Sequence, residues 1–509
     1  MVEQSAHNLI EALKLYLFAS CASDYITTLL FLSLLIPVPY HRFAKAGAYG
    51  RLLPFLNRNS DFVVGSTVKR TPIDHTTPPR PSIRPAPDTP HRMRPIPESP
   101  FYRAPFHVIL SVTYHEEKGA CRTVPAQTTI MYKNALRAAW AEINVTNLDF
   151  NIRKIREKVG PSRKITGIIK ADGYGHGSVK VADVLRANGI TSFGVATLSE
   201  AVRLRDAGFV TEEIIVIGLT PDPYVNTLVE YNLTCVTGSY SNAKAISDAA
   251  AKAGKTVNGY IVCDTGMGRI GYQPEDPNAV EESVRISQLP NFHIQGIFSH
   301  FATADAADKT YSTMQESRFL SFYKKLVDRN IKIPYRTLAN SAAIMEIPTA
   351  HFDQVRPGII LYGCYPSHEV DKNQLELKPA MSVKANIVHL KKVPVGTTVS
   401  YGRRYTATKE SLIATIPLGY ADGFPRPYSM KGKVIVNGVL APLAGNICMD
   451  QCMVDVTNVP YVRPGDEVTI MGKDGIHEIL ADDIADATGT INYEIVCAFG
   501  QRLPKVYVY

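Results

Sequence analysis

The side chains in this chain best suited to chemistry each follow a short apolar run. Lys170 closes Ile165-Thr-Gly-Ile-Ile169 and opens Lys170-Ala-Asp-Gly-Tyr-Gly-His-Gly177, and Arg269 lies in Asp264-Thr-Gly-Met-Gly-Arg-Ile-Gly271. His300, Ser341 and Arg356 stand behind further runs of the same kind. An amine at the inner end of an apolar strand loses the hydration its charged form needs, so burial favours the neutral amine. A neutral amine adds to an aldehyde to form a Schiff base. Gly173, Gly175 and Gly177 let the backbone pass close to a bound group, which suits a phosphate. Asn340-Ser341-Ala342 offers a hydroxyl and N–H groups, and Pro357-Gly358-Ile359 offers backbone donors ahead of a helix or turn. Singly, each has a plainer reading: a lysine that snorkels, a serine or glycine that makes a turn. Together they read as a site for a phosphorylated aldehyde.

Such a site needs a scaffold that brings distant positions together. β-branched runs at Ile165–Lys170, Ser192–Val195, Ile214–Ile217, Thr234–Val236, Tyr260–Asp264, Ile294–Phe298, Tyr335–Leu338 and Gln354–Arg356 read as eight strands. Helical patterns with apolar residues three and four apart lie between them, at Val179–Ala187, Ser199–Ala207, Ser241–Ala253 and Met314–Asp328. Eight strands with crossovers predict an α/β fold, a parallel (β/α)8 barrel of the TIM type whose strand exits share one rim. After about residue 375 the pattern becomes short alternating strands with Gly and Pro turns, as in Lys433–Val436, Cys452–Val456 and Glu467–Met471. A mostly antiparallel β domain is expected there. The expected division is an N-terminal extension over 1–130, the barrel over 131–372 and the β domain over 373–509.

Composition agrees with a globular protein: 45% of the 509 residues are hydrophobic and 20% charged. Of the net charge of +8, residues 1–130 carry +5, so the remainder is close to neutral and no basic face for nucleic acid is expected. The eight cysteines show no CxxC spacing, which predicts reduced thiols in a cytoplasmic protein and no metal site. The apolar stretch from Leu15 to Val38 is broken at Asp24, and its clean part, Tyr25–Ile36, is short of the roughly 20 residues a membrane span requires. Neither a membrane nor a secretory signal is expected. Eleven prolines between Pro72 and Pro105 read as an extended or disordered linker, and Met131 as the start of the functional part.

From Met131 onward, about three quarters of the chain resembles the alanine racemases. The resemblance is carried by Ala141-Glu-Ile, Lys170-Ala-Asp-Gly-Tyr-Gly-His-Gly177, Asp264-Thr-Gly-Met-Gly-Arg269, Gly296-Ile-Phe-Ser-His-Phe301, Asn340-Ser-Ala, Val355-Arg-Pro-Gly358, Val399-Ser-Tyr-Gly402, Gly419-Tyr-Ala-Asp-Gly423, Cys448-Met-Asp450 and Ile491-Asn-Tyr-Glu494. It implies pyridoxal 5'-phosphate (PLP) as cofactor, alanine as substrate and a barrel-plus-β-domain fold. It implies that Lys170 carries the cofactor and acts as base on one face, with Tyr401 serving the other. Tyr174, Ser341, Gly358, Ile359 and Tyr493 would hold the phosphate, His300 would lie against the ring, and Arg356 would bond its nitrogen. Arg269 and the backbone of Met449 would receive the substrate carboxylate. In the family Tyr401 and Met449 come from a second subunit, so a homodimer with shared sites is implied.

Racemisation removes a proton from one side of a planar centre and delivers one to the other, so two acid–base groups are required. Because a guanidinium keeps its proton at physiological pH, a ring nitrogen facing Arg356 stays unprotonated, which weakens the electron sink and makes transamination rarer. A tyrosine titrating near 10 needs help to act as a base, which the His300–Arg356 connection would supply. One position departs from the pattern: where the family often has a carbamylated lysine, two residues before Asp264, this chain has Val262. Valine carries no charge to hold Arg269. Three other readings stay open: a serine or broad-spectrum racemase of the same fold, a basic-amino-acid decarboxylase, and a non-catalytic PLP carrier. Tyr401 and Arg356 speak against the decarboxylase, and the C-terminal domain against the carrier.

Overall fold

The computed structural model describes residues 137–500 and 502–509, so the expectations for residues 1–130 fall outside the described part. Its first strand, β1 (Ala139–Asn144), leads directly into a helix at Val145–Val159, whose N-terminus is capped by the Asn144 side chain accepting from Asn147 N–H. The barrel then begins. One interrupted strand, β2 (Lys164–Ile165) and β3 (Gly167–Ile168), is followed by β4 (Ser192–Val195), β5 (Glu213–Val216), β6 (Cys235–Thr237), β7 (Val257–Val262), β8 (Phe292–Phe298), β9 (Tyr335–Thr337) and β10 (Gln354–Val355).

These eight positions pair in parallel in chain order. A bridge from Ile215 to Thr234 joins β5 to β6, the Arg356 N–H bonds Ala339 O at 3.0 Å beside β9, and β10 returns to β2. The ring is therefore closed. Its interior is not wholly apolar: Tyr260 Oη donates to Gln354 Oε1 at 2.8 Å, Gln354 Nε2 to Thr166 Oγ1 at 2.5 Å, and Ser192 Oγ to Glu213 Oε2 at 2.5 Å. A buried polar chain of this kind stays in place because its members satisfy one another.

The second domain carries β11 (Met381–Asn386), β12 (His389–Val393), β13 (Thr398–Val399), β14 (Tyr405–Thr406), β15 (Ser411–Ile416), β16 (Lys433–Val436), β17 (Val439–Pro442), β18 (Cys452–Asp455), β19 (Glu467–Asp474), β20 (His477–Ile479) and β21 (Lys505–Val508). Its main sheet runs β17-β16-β19-β11-β1-β21, with β20 beside β19. A three-stranded sheet, β12-β15-β18, and the β13-β14 hairpin complete it. β1 thus belongs to this sheet, antiparallel to β11 and parallel to β21, although sequence reasoning assigned residues 131–372 to the barrel. Ala139, Trp140, Ala141 and Ile143 are buried, Glu142 and Asn144 only partly so, and both edges of the strand are paired.

Two small differences bear on the site. The strand before Lys170 ends at Ile168, with Ile169 N–H still bonded to Gly194 O at 2.9 Å, so Lys170 begins a turn instead of ending a strand. The helix expected at Met314–Asp328 starts earlier, at Thr310. Among the described residues no helix is long and apolar enough to cross a membrane, no His/Cys/Asp/Glu cluster suits a metal, and six cysteines are free.

Candidate active site

The Lys170 turn is conformationally expensive. Ala171, Asp172, Gly173 and Tyr174 have φ of 51°, 53°, 64° and 50°, a run in the left-handed region. Each non-glycine residue there costs roughly 1–2 kcal/mol, so surrounding contacts must hold it. Asp172 supplies several. Its carboxylate accepts from Ser178 N–H at 3.0 Å and pairs with Lys505 Nζ at 2.9 Å and Arg203 NH1 at 3.2 Å. Burial opposes that charge, yet these partners hold the carboxyl below its usual range. Glu200 Oε1 accepts from Ala171 N–H at 2.6 Å, while its Oε2 accepts from Ala196 N–H at 2.8 Å.

Lys170 itself is half-buried. Burial first, and the positive charge of Arg269 second, push its amine down from the usual lysine value, with Glu200 pulling the other way. Its Nζ lies 6.0 Å from the Tyr174 ring centroid. The Tyr174 ring in turn packs 4.9 Å from Tyr362 and 6.2 Å from Tyr493. Burial raises both the Tyr174 and Tyr493 phenols, so each remains a neutral hydroxyl donor.

Opposite Tyr174 the chain leaves a cradle. Gly358 N–H donates to Ser341 Oγ at 2.9 Å, and a Cβ at Gly358 would stand 2.9 Å from Tyr174 Oη and 3.6 Å from Ser341 Oγ. Ser341 and Ile359 begin the short helices Ser341–Glu346 and Ile359–Tyr362, whose first N–H groups have no preceding turn to bond. Two hydroxyls and backbone N–H groups around a space that only glycine leaves free fit a phosphate.

Arg356 and His300 form the neighbouring wall. The Arg356 guanidinium is buried; NH1 donates to Thr337 Oγ1 at 2.6 Å, and NH2 donates to Ser299 O at 2.6 Å and lies 3.2 Å from His300 Nδ1. No hydrogen bond from Nε is made among the described residues, so this donor is open to a ring nitrogen. Burial, followed by Arg269, pushes Arg356 down to about 9, so it stays charged at neutral pH. His300 keeps some open surface, but protein packs around most of its ring. Burial and the charges of Arg356, Arg269 and Lys170 hold it well below its usual value, so the imidazole is neutral.

Arg269 rides on an exposed loop after β7. Asp264 Oδ1 shapes this loop by accepting from Gly266 N–H at 3.1 Å and Gly268 N–H at 3.0 Å. The Arg269 guanidinium makes no hydrogen bond or ion pair among the described residues. Val262, where a charged partner is expected by resemblance, is buried in an apolar cluster with Val236, Tyr260 and Phe298.

The structure therefore gathers Lys170, Tyr174, Arg269, His300, Ser341, Arg356, Gly358, Ile359 and Tyr493 at one end of the barrel. Tyr401 and Met449 are elsewhere. Both lie on the second domain, 71% and 54% exposed, and their segments are tied together by Asn446 Nδ2 donating to Tyr401 O at 2.8 Å and Ser400 Oγ donating to Asn446 O at 2.5 Å. Within one chain the structure does not bring either to Lys170. Sequence reasoning overlooked Glu200, Asp172 and Lys505 as supports of the turn. Glu200 carried a signal, the capping-box spacing Thr197-Leu-Ser-Glu200, which the helix at Leu198–Asp206 uses.

Comparison with known proteins agrees with this architecture. The family domain described as "Alanine racemase, N-terminal domain" matches residues 143–366, and "Alanine racemase, C-terminal domain" matches 380–507. An alanine racemase of Clostridium kluyveri is 50% identical over 373 residues, covering 73% of this chain and 94% of its own. Among solved structures, an alanine racemase of Clostridium difficile 630 is 40% identical with a TM-score of 0.70, covering 73% of this chain and 96% of its own. Another, from Bacillus anthracis with bound L-Ala-P, is 32% identical with a TM-score of 0.69, covering 73% of this chain and 95% of its own.

Proposed function

The chain belongs to the alanine racemase family, isomerases that act on an amino acid, and we propose that it interconverts L- and D-alanine with Lys170 on one face of Cα and the partner subunit's Tyr401 on the other. The observation that carries this reading is the convergence, around one space, of a deprotonation-prone lysine, the Gly358 cradle and the Arg356–His300 wall.

Pyridoxal phosphate, on which the family depends, supplies an aldehyde for the substrate amine and a ring that withdraws electrons from Cα. Tyr174, Ser341, Gly358, Ile359 and Tyr493 would hold its phosphate. His300 would lie against the ring, and Arg356 would offer Nε to the ring nitrogen, its other nitrogens being on Thr337, Ser299 and His300. A donor that is charged at neutral pH would keep that nitrogen unprotonated and limit transamination there.

Lys170 Nζ, whose charged form is disfavoured by burial and by Arg269, takes the Cα proton on its face. Tyr401 Oη delivers or removes it on the other. Arg269 and the Met449 backbone N–H receive the carboxylate. Two of these groups, Tyr401 and Met449, stand exposed on one lobe, as they must to enter a neighbouring site. A homodimer with shared sites is the arrangement proposed. Six free thiols among the described residues suit a reducing cytoplasm. The part from Met131 onward is proposed to carry the whole activity.

The test is optical rotation or a coupled assay on L- and D-alanine with the full chain loaded with cofactor, repeated for Lys170→Ala and Tyr401→Phe. Undiminished interconversion in either variant would reject the two-face assignment.

A further inference from the structure

Arg269 is held without a side-chain partner, so something else must fix its direction. The loop that carries it is gripped from outside the barrel by one helix, Thr310–Asp328. Tyr311 Oη donates to Gly266 O at 2.9 Å, Gln315 Nε2 donates to Thr265 Oγ1 at 3.3 Å, and Arg318 NH1 donates to Thr265 O at 3.3 Å. Positions 311, 315 and 318 follow the four- and three-residue spacing of a single helix face. The fit is close on the loop side too: Gly266 has φ of 136°, and a Cβ there would come 2.6 Å from Tyr311 Oη.

Gln315 does more than touch the loop. It is fully buried, and its Oε1 accepts from Ala302 N–H at 2.9 Å while Nε2 also donates to His300 O at 3.1 Å. One amide thus joins the segment behind β8, which carries His300, to the segment behind β7, which carries Arg269. Thr265 Oγ1 extends the link to Ser299 Oγ at 3.0 Å, and Ser299 O is an acceptor of Arg356. The two strand exits are therefore spaced by hydrogen bonds whose lengths and directions a fully buried side chain cannot relax.

We infer that Gln315, assisted by Tyr311, is a positioning residue for substrate recognition: it sets the Arg269 loop against His300 through the backbone, where Val262 offers no side-chain anchor. This rests on the reading of Arg269 as the carboxylate-binding residue. It concerns binding of an alkyl carboxylate of alanine's size and leaves proton transfer to other groups.

The probe is propionate, which has alanine's carboxylate and methyl group but no amine, titrated calorimetrically into the holoenzyme. Kinetics with both alanine enantiomers accompany it. Gln315→Met should weaken propionate binding and raise KM by about tenfold, with kcat within about twofold, because a carboxylate grip contributes to ground and transition states alike. Tyr311→Phe removes a single hydroxyl at the surface and should shift the same two quantities about threefold, in line with one modest hydrogen bond. Should Gln315→Met fail to fold, Tyr311→Phe decides alone. Arg269→Lys is the control. Weaker propionate binding in Arg269→Lys but unchanged binding in Tyr311→Phe and in folded Gln315→Met overturns the inference and leaves the Arg269 reading standing. Unchanged binding in Arg269→Lys removes that reading and the inference with it. Loss of cofactor affinity without loss of propionate affinity in Gln315→Met also overturns it.

Discussion

Arg356 NH2 lies 3.2 Å from His300 Nδ1, and the same guanidinium sits 4.1 Å from the centroid of the Phe298 ring. A buried cation and a neutral imidazole share this contact, and the cation is the group proposed to face the ring nitrogen. Arg356→Glu would offer that nitrogen a proton, strengthening the electron sink. Racemisation should fall by about tenfold or more while slow transamination appears, read as pyruvate released from alanine. No pyruvate above the wild-type level would contradict the assigned role.

Lys170→Ala should abolish the visible absorbance that borohydride removes from the holoenzyme. Cofactor should still associate, through the Gly358 cradle, with lower affinity. A borohydride-sensitive band in this variant would mean that another amine carries the aldehyde.

Tyr401→Phe should keep that colour and lose interconversion by about 100-fold or more. In deuterated water, exchange at Cα should continue from one alanine enantiomer, the one whose proton faces Lys170, and cease from the other. Equal exchange from both would place both proton transfers on a single residue.

Gly358→Ala places a methyl group 2.9 Å from Tyr174 Oη, inside the cradle. Cofactor Kd should rise by about tenfold, roughly 1.4 kcal/mol, with little change in the urea midpoint of the apoprotein. Unchanged Kd would move the phosphate elsewhere.

His176 is fully buried, its Nδ1 bonded to Gly173 O at 3.1 Å and Tyr174 O at 2.9 Å, and burial pushes it down to about 4. In the unfolded chain the same group titrates near 6.5. Between these values the unfolded state binds a proton that the folded state refuses. Stability from this group is therefore whole above about pH 6.5 and declines as pH falls, by up to about 3 kcal/mol near pH 4. Urea midpoints for His176→Phe should fall less steeply between pH 7 and 4.5 than those of the wild type; parallel curves would show that His176 is not the group responsible.

The sequence displayed the barrel through the alternation of β-branched runs and helical spacing, and it displayed Lys170, His300, Ser341 and Arg356 through their place after those runs. Each of these depends on local order, which a linear reading captures. β1 was misplaced because its partners are hundreds of positions away, and a six-residue strand of mostly apolar residues reads the same in either sheet. Gln315 was invisible for a similar reason: a glutamine on an amphipathic helix looks like solvent-facing surface until the loops it bonds are folded beside it. Tyr401 and Met449 were singled out only through family resemblance, since no local pattern assigns an exposed phenol the proposed role in another subunit's site.

The pairing of β1 with β21, Ala141 opposite Lys505 and Asn144 opposite Val508, has a consequence for synthesis. β1, made ahead of the barrel, keeps one edge open until β21 has been made and can pair with it. Lys505, on that closing strand, also carries the ion pair to Asp172. A chain can thus pair its barrel strands early, while the turn at Lys170 gains this ion pair only once β21 has joined the sheet. Loss of β21 would leave the barrel strands paired among themselves and the Lys170 turn without one of the partners of Asp172.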